Sequence, residues 1–265
     1  MNPSATLPVG TQLRAWRQRR HLSQLDLSVD AEVSTRHLSF VETGRAMPSR
    51  EMVLRLADRL EVPLRERNRL LTAAGFAPMF AERPLDDPAL KAARDAVELV
   101  LRGHEPYPAL AIDRHWNLVS YNRAVPALLE GVAAELLQPP LNVLRLSLHP
   151  GGLAPRIVNL GQWRAHLLAR LRQQVAVSAD ATLAALADEL RAYPAPTEAQ
   201  ADAMIEAAVV VPLVLATPAG TLSFISTTTV FGTPVEITLS ELALETFFPA
   251  DAATAAMLRA STFSR

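Results

Sequence analysis

Ser34-Thr35-Arg36-His37-Leu38-Ser39-Phe40-Val41-Glu42-Thr43-Gly44-Arg45-Ala46-Met47-Pro48 is the stretch whose reading decides the fold of this chain of 265 residues. Placed at 100° per residue, Ser34, Leu38, Val41 and Glu42 share one side of a helix, and Arg36, Phe40 and Thr43 share the other. Gly44 supplies the left-handed position that ends a helix, and Pro48 forbids its resumption. Upstream, Leu22-Ser23-Gln24 reads as the entry to another helix running to about Ala31, with Ser23 as its N-cap. A tight turn around Glu32-Val33-Ser34 joins the two. Two short helices joined in this way form a helix-turn-helix, whose second helix enters the major groove of DNA.

Leu13-Arg14, Arg17, Leu22-Ser23-Gln24, Leu27, Ser34, Leu38, Glu42, Thr43-Gly44-Arg45 and Pro48 agree in spacing and in type with the XRE helix-turn-helix regulators. The segment 13–48 therefore resembles that phage-repressor-like family. Ser28 departs from the pattern, since alanine is more usual at this helix–helix contact. The resemblance implies an all-α, five-helix, lambda-repressor-like DNA-binding domain in which Arg17 turns inward to pair with Glu42, and it places Thr43 and Arg45 on phosphate. A half-buried carboxylate needs such a partner.

Read from the residues themselves, Gln24 stands at a helix N-terminus, where its side chain and the backbone amides suit a phosphate. Thr35 and Arg36 take the first exposed positions of the recognition helix, and Arg36 is suited to a bidentate contact with guanine O6 and N7. His37 and Ser39 flank this face. Two readings are open for Phe40, packing on a thymine methyl or covering the first helix. The first helix is expected over Val9–His21, with Leu13 and Trp16 inward and Arg14 or Arg20 within reach of phosphate. A fourth helix (Arg50–Leu60, capped by Ser49) and a fifth (Leu64–Ala74, ended by Gly75) complete the domain.

Composition agrees with a two-part chain. Hydrophobic residues make up 49% and charged residues 20%, a globular balance with material for two cores. Residues 1–80 carry 12 Arg against 8 Asp or Glu, a balance of +4, whereas the remainder carries 14 basic and 19 acidic residues, a balance of −5. A basic domain joined to an acidic one suits a DNA-binding head on a body that does not bind DNA. There is no cysteine, which excludes disulfides and thiol catalysis. The longest apolar run, Ala207–Ala216, is too short to span a bilayer and contains Pro212. No basic-then-apolar leader is present, so a cytoplasmic location is expected.

The expected organisation is a helix-turn-helix domain over 1–80, a proline-punctuated linker over 81–90 and a second domain over 91–265. In the latter, 88–102 reads as an amphipathic helix and 108–121 alternates as a β-hairpin turning at Asp113-Arg114-His115. Asn122 is expected to cap a helix to about Gly131. Leu160–Val177 and Ala181–Tyr193 carry apolar stripes at helical spacing. Val209–Thr217, Thr221–Phe231 and Pro234–Leu239 read as strands, and Asp251–Ala260 as a final helix. Strands at both ends with helices between them give an α+β domain with an antiparallel sheet.

That arrangement is similar to the MmyB-like ligand-binding domain, a PAS-like sensor. The resemblance rests on Asp113-Arg114-x-Trp116 with Tyr121-Asn122, on Leu141-Asn142-Val143-Leu144-Arg145, on the Trp163–Arg172 helix, on Leu186-Ala-Asp-Glu-Leu190, and on Thr217-Pro-Ala-Gly220 with Ser226–Phe231 beyond. It implies a buried apolar pocket for a fatty acid or similar acyl ligand. Trp116, Tyr121, Leu128, Trp163, Leu167, Phe224 and Phe231 are either the lining of such a cavity or plain core. Arg156, Arg164, His166 and Arg170 are candidates for meeting a carboxylate at its mouth.

The histidines lack metal-ligand spacing, and no cofactor motif is present. Neither G-x-S-x-G, H-E-x-x-H nor a phosphate-cradling glycine loop occurs, so an enzyme is not expected. The leading reading is a homodimeric transcriptional regulator that binds double-stranded DNA and senses a small apolar molecule. The alternative gives the second domain only a dimerisation or protein-partner role.

Overall fold

The computed structural model describes residues 7–194, 210–232 and 234–262. These described residues cluster into two compact units, one of 7–83 with 176–178 and 234–240, the other comprising the remaining described residues.

The first unit holds the helices α1 (Val9–Arg19), α2 (Gln24–Asp30), α3 (Thr35–Glu42), α4 (Arg50–Arg59) and α5 (Leu64–Ala73). Each of the three central helices begins at a serine. Ser23 accepts from the Asp26 amide while the Asp26 carboxylate accepts from the Ser23 amide, a reciprocal capping box. Ser34 accepts from His37 N and Ser49 from Met52 N, both at 3.2 Å. At the end of α3, Gly44 takes φ +73°, its N–H bonds to Val41 O, and Arg45 N reaches back to Phe40 O. Those paired bonds are a Schellman close, which needs a left-handed residue and therefore favours glycine.

The inner faces of these helices meet in one core that includes Leu13, Trp16, Leu27, Leu38, Val41 and Leu56. Gly10 sets how closely α1 lies on α3, because a Cβ there would stand 2.0 Å from the Val41 carbonyl oxygen. Arg17 turns inward as expected. Its Nε donates to Glu42 Oε1 at 2.7 Å, its Nη2 to Oε2 at 2.9 Å, and its Nη1 to Leu22 O at 2.8 Å. The side chains are 10% and 1% exposed, so this is a buried, bidentate ion pair. Ser28, the departure from the family pattern, fits because its hydroxyl bonds to Leu25 O and to Thr35 Oγ1. Arg20 is not free for phosphate: Nε and Nη2 donate to Leu60 O and Glu61 O at the end of α4.

The second unit is built on a five-stranded antiparallel sheet in the order β2-β1-β5-β4-β3, from β1 (Ala109–Ile112), β2 (Leu118–Tyr121), β3 (Leu213–Thr217), β4 (Gly220–Val230) and β5 (Ala243–Pro249). One face packs under α6 (Lys91–Gly103) through Val97, Leu101, Ala109, Ala111 and Leu244. The other face carries the larger core, shared with α8 (Val143–Leu148), α9 (Leu160–Ser178) and α10 (Ala181–Ala192), where Leu215, Phe224, Trp163, Leu171 and Leu190 meet. A short α7 (Val125–Leu128) and a final α12 (Ala252–Thr262) complete this unit.

Three expectations fail here. Pro234–Leu239 is not a strand: Ile237–Ser240 forms the short helix α11, started by Glu236, whose buried carboxylate accepts from Leu239 N at 2.9 Å and Arg83 N at 2.8 Å. The strand that completes the sheet is β5, which alternation did not reveal. Asn122 does not cap a long helix; its side chain bonds Ala109 N, Leu101 O and Tyr107 O, tying β1 to α6, and only Val125–Leu128 follows as a single turn. The expected strand over Val209–Thr217 begins at Leu213, and Val209 itself lies outside the described residues.

Candidate nucleic-acid interface and ligand cavity

The outer face of α3 is formed by side chains the inner face leaves over. Arg36, His37, Thr43 and Arg45 are exposed, and Ser39 and Phe40 are partly buried. The Arg36 and Arg45 guanidinium groups both lie over the Phe40 ring, 5.4 and 6.0 Å from its centroid. Phe40 thus orders two cations beside each other while keeping them in solvent. Thr43 is turned back on its own helix, bonding Ser39 O at 2.7 Å. Thr35 is only partly exposed, because its hydroxyl shares a 2.8 Å bond with Ser28. Gln24 donates from Nε2 to Glu42 Oε2 at 2.8 Å, so its amide completes the buried pair and does not stand clear for phosphate. Burial alone would raise the Glu42 carboxyl, but the Arg17 and Gln24 bonds outweigh it and hold the group below its usual range.

In the second unit, a cavity of about 100 Å³ opens between α9, the sheet and the segment carrying α7 and α8. Helix α9 presents Trp163, Leu167 and Arg170 to it on one stripe, and Trp116 and Leu128 join them. The sheet adds Leu110, Leu213, Ser226, Glu245 and Phe247. Glu245 pairs with Leu110 on one side and Thr228 on the other, and Phe247 pairs with Ser226, so strand register alone aligns this wall. Almost all of the lining is apolar.

Four expected lining residues lie elsewhere. Tyr121 is 51% exposed at the sheet edge. Phe224 is fully buried behind Phe247, with ring centroids 6.1 Å apart. Phe231 packs against the core on the α6 side. His166 stacks on Trp163 at 5.5 Å without reaching the cavity, and burial followed by the charge of Arg170 pushes its pKa below the usual value. Of the cations proposed for a carboxylate, Arg156 instead donates to Leu128 O, and Arg164 to Arg191 O at 2.8 Å. Arg170 does line the cavity, but it arrives already paired with Glu245.

The polar residues of the expected motifs hold this wall in place. Trp116 takes φ +67° at the hairpin turn, where Asp113 accepts from His115 N and Asn117 N at 2.8 Å each. Its indole N–H donates to Gln174 at 2.7 Å. Asn142 caps α8 through Leu144 N and Arg145 N and donates to His115 O, fastening α8 to the hairpin. Trp163 donates to Ser147 Oγ at 2.9 Å. Arg145 pairs with Glu189 through two 2.7 Å bonds and holds its carboxyl below the usual range. Tyr193 donates to Glu189 at 2.5 Å and, through burial and that neighbour, is pushed up to about 12. Ser226, Glu245 and Phe247 were not foreseen. The signal for the last two was the strand 243–249, which interrupts its apolar pattern with Glu245 and Thr246.

Among the described residues no group of His, Cys, Asp and Glu is placed to hold a metal ion, and no helix is long and apolar enough to cross a membrane. Compared with known families, residues 93–260 match the model described as the MmyB-like transcription regulator ligand binding domain, and residues 8–70 match one described as a helix-turn-helix domain. Among curated proteins none matches the chain.

Proposed function

The chain belongs to the family of MmyB-like transcription regulator ligand-binding domains, preceded by a helix-turn-helix domain, and on that premise we propose that it is a homodimeric regulator whose DNA affinity is set by a small apolar molecule in the second unit's cavity. A ligand-responsive transcription regulator is what the two matched families together describe, and both are regulatory domains. The finer reading adds Arg36 to guanine, with His37, Ser39, Phe40, Thr43 and Arg45 around it on bases and phosphate. Two copies then read half-sites about 34 Å, one helical turn, or a multiple apart.

The observation that carries the ligand reading is the apolar cavity itself. A module that serves only for dimerisation has no reason to leave about 100 Å³ open beneath its main helix, since unfilled apolar space costs stability. Its size bounds the occupant. A cavity of ~150 Å³ accommodates a benzene ring, so this smaller one takes the end of a short acyl chain, and a full ring or a long fatty acid requires side chains to move. The test is native mass spectrometry of the purified full chain, followed by solvent extraction and identification of what is released. A stoichiometric apolar compound that changes operator binding is the expected result. A bare mass that persists after incubation with candidate acyl compounds transfers support to the dimerisation or partner-module reading.

A further inference from the structure

Resting on the cavity reading above, we infer that the ligand's polar end is uncharged, an amide, ester or alcohol, and not a free carboxylate. Among the described residues the wall carries one cation and one anion, and they neutralise each other. Arg170 Nη2 donates to Glu245 Oε1 and Nη1 to Oε2 at 3.2 Å. Thr228 Oγ1 donates to the same carboxylate at 2.8 Å, and the guanidinium lies 4.5 Å from the Trp116 ring centroid. Glu245 is 4% exposed and Arg170 is its ion-pair partner.

A ligand carboxylate placed here gains attraction to Arg170 and meets comparable repulsion from Glu245, while still losing its hydration. An uncharged group escapes both the repulsion and the larger desolvation cost. It also finds partners. Ser226 lines the cavity, and its hydroxyl forms no bond with the other described residues. Arg170 uses three donor contacts, to the two oxygens of Glu245 and to Thr228, of the five N–H groups a guanidinium offers. Ser147, the remaining polar lining residue, already accepts from Trp163. The Ser226 hydroxyl and the N–H groups that Arg170 does not spend on Glu245 and Thr228 are the donors a carbonyl oxygen can use.

The experiment titrates the full chain with a pair of equal chain length, hexanamide and hexanoate, at neutral pH. Calorimetry supplies the affinity, and fluorescence of Trp116 and Trp163 reports occupancy of the cavity. Hexanamide is expected to bind at least about tenfold more tightly. In Glu245→Gln, which leaves Arg170 uncompensated at nearly unchanged volume, the order is expected to reverse. Ser226→Ala, a smaller change, is expected to weaken hexanamide and leave hexanoate as it was. Equal or tighter binding of hexanoate by the unaltered chain overturns the uncharged class while sparing the cavity reading, and needs no variant to fold. Binding of neither compound overturns the cavity reading and this inference with it.

Discussion

Replacing Arg17 with alanine tests how the recognition helix is held. The change removes two charge-assisted bonds to Glu42 and one bond to Leu22 O, and it leaves a carboxylate whose side chain is 1% exposed with, among the described residues, only the Gln24 amide as donor. Stranding one member of a buried pair costs about 3–5 kcal/mol, and the surviving Gln24 bond places this case near the lower figure. For a domain of this size, about 3 kcal/mol corresponds to a fall in melting temperature of roughly 12–24 °C. Denaturant unfolding of the full chain, with hydrogen exchange resolving the α1 and α3 amides, measures the loss in the first unit. The pH dependence adds a second check. Glu42 is held below its ordinary value of 4.5, so its contribution is present above that pH and disappears as pH falls through the lower folded value. The gap between the unaltered chain and Arg17→Ala should therefore narrow on acidification, because a protonated Glu42 no longer needs its cation. A double change to Arg17→Met and Glu42→Leu should recover most of the loss, since an apolar pair avoids stranding a charge. A loss below about 1 kcal/mol with Arg17→Ala would refute the reasoning, as would a gap independent of pH.

Other perturbations address separate parts of the molecule. Gly10→Ala puts a methyl 2.0 Å from Val41 O, so α1 must move off α3 at a cost of about 1–3 kcal/mol, measured as a lower denaturation midpoint. Arg36→Ala should keep the fold and lose about 1–3 kcal/mol of discrimination at one operator position; uniform weakening on every sequence in competition assays would make Arg36 a phosphate contact. Ser147→Ala leaves the buried Trp163 indole N–H without its acceptor and should cost about 1–3 kcal/mol, seen in the unfolding of the second unit. His166 is held below its ordinary value of 6.5, so the unfolded chain takes up its proton first as pH falls. Stability should accordingly decline from pH 6.5 downward before the carboxylates begin to titrate, and His166→Phe should flatten that slope.

What the sequence determined by itself is local. Serines 23, 34 and 49 start helices because a hydroxyl three residues ahead of an amide satisfies it, and Gly44 ends α3 because few other residues accept its φ. The inner and outer faces of α3 follow from helical spacing, which put Arg36 outside and Glu42 inside before any coordinates. Trp163 and Leu167 on one stripe of α9 were legible for the same reason, whereas the place of Arg170 beside them was not.

Only the tertiary structure decided the centre of the sheet and the polarity of the cavity. Strand β5 lies between β1 and β4, yet its Glu245 and Thr246 break the apolar run, and their burial is tolerated because Arg170, Thr228 and Thr227 arrive from elsewhere in the chain. Tyr121 and Phe231, aromatic and well spaced in sequence, fall outside the cavity because the strand edge and the far face of the sheet claim them. Local patterns record which side of an element is apolar. Which partner satisfies a buried charge depends on contacts between residues distant in sequence, such as the 75 positions separating Arg170 from Glu245, and no local pattern carries that information.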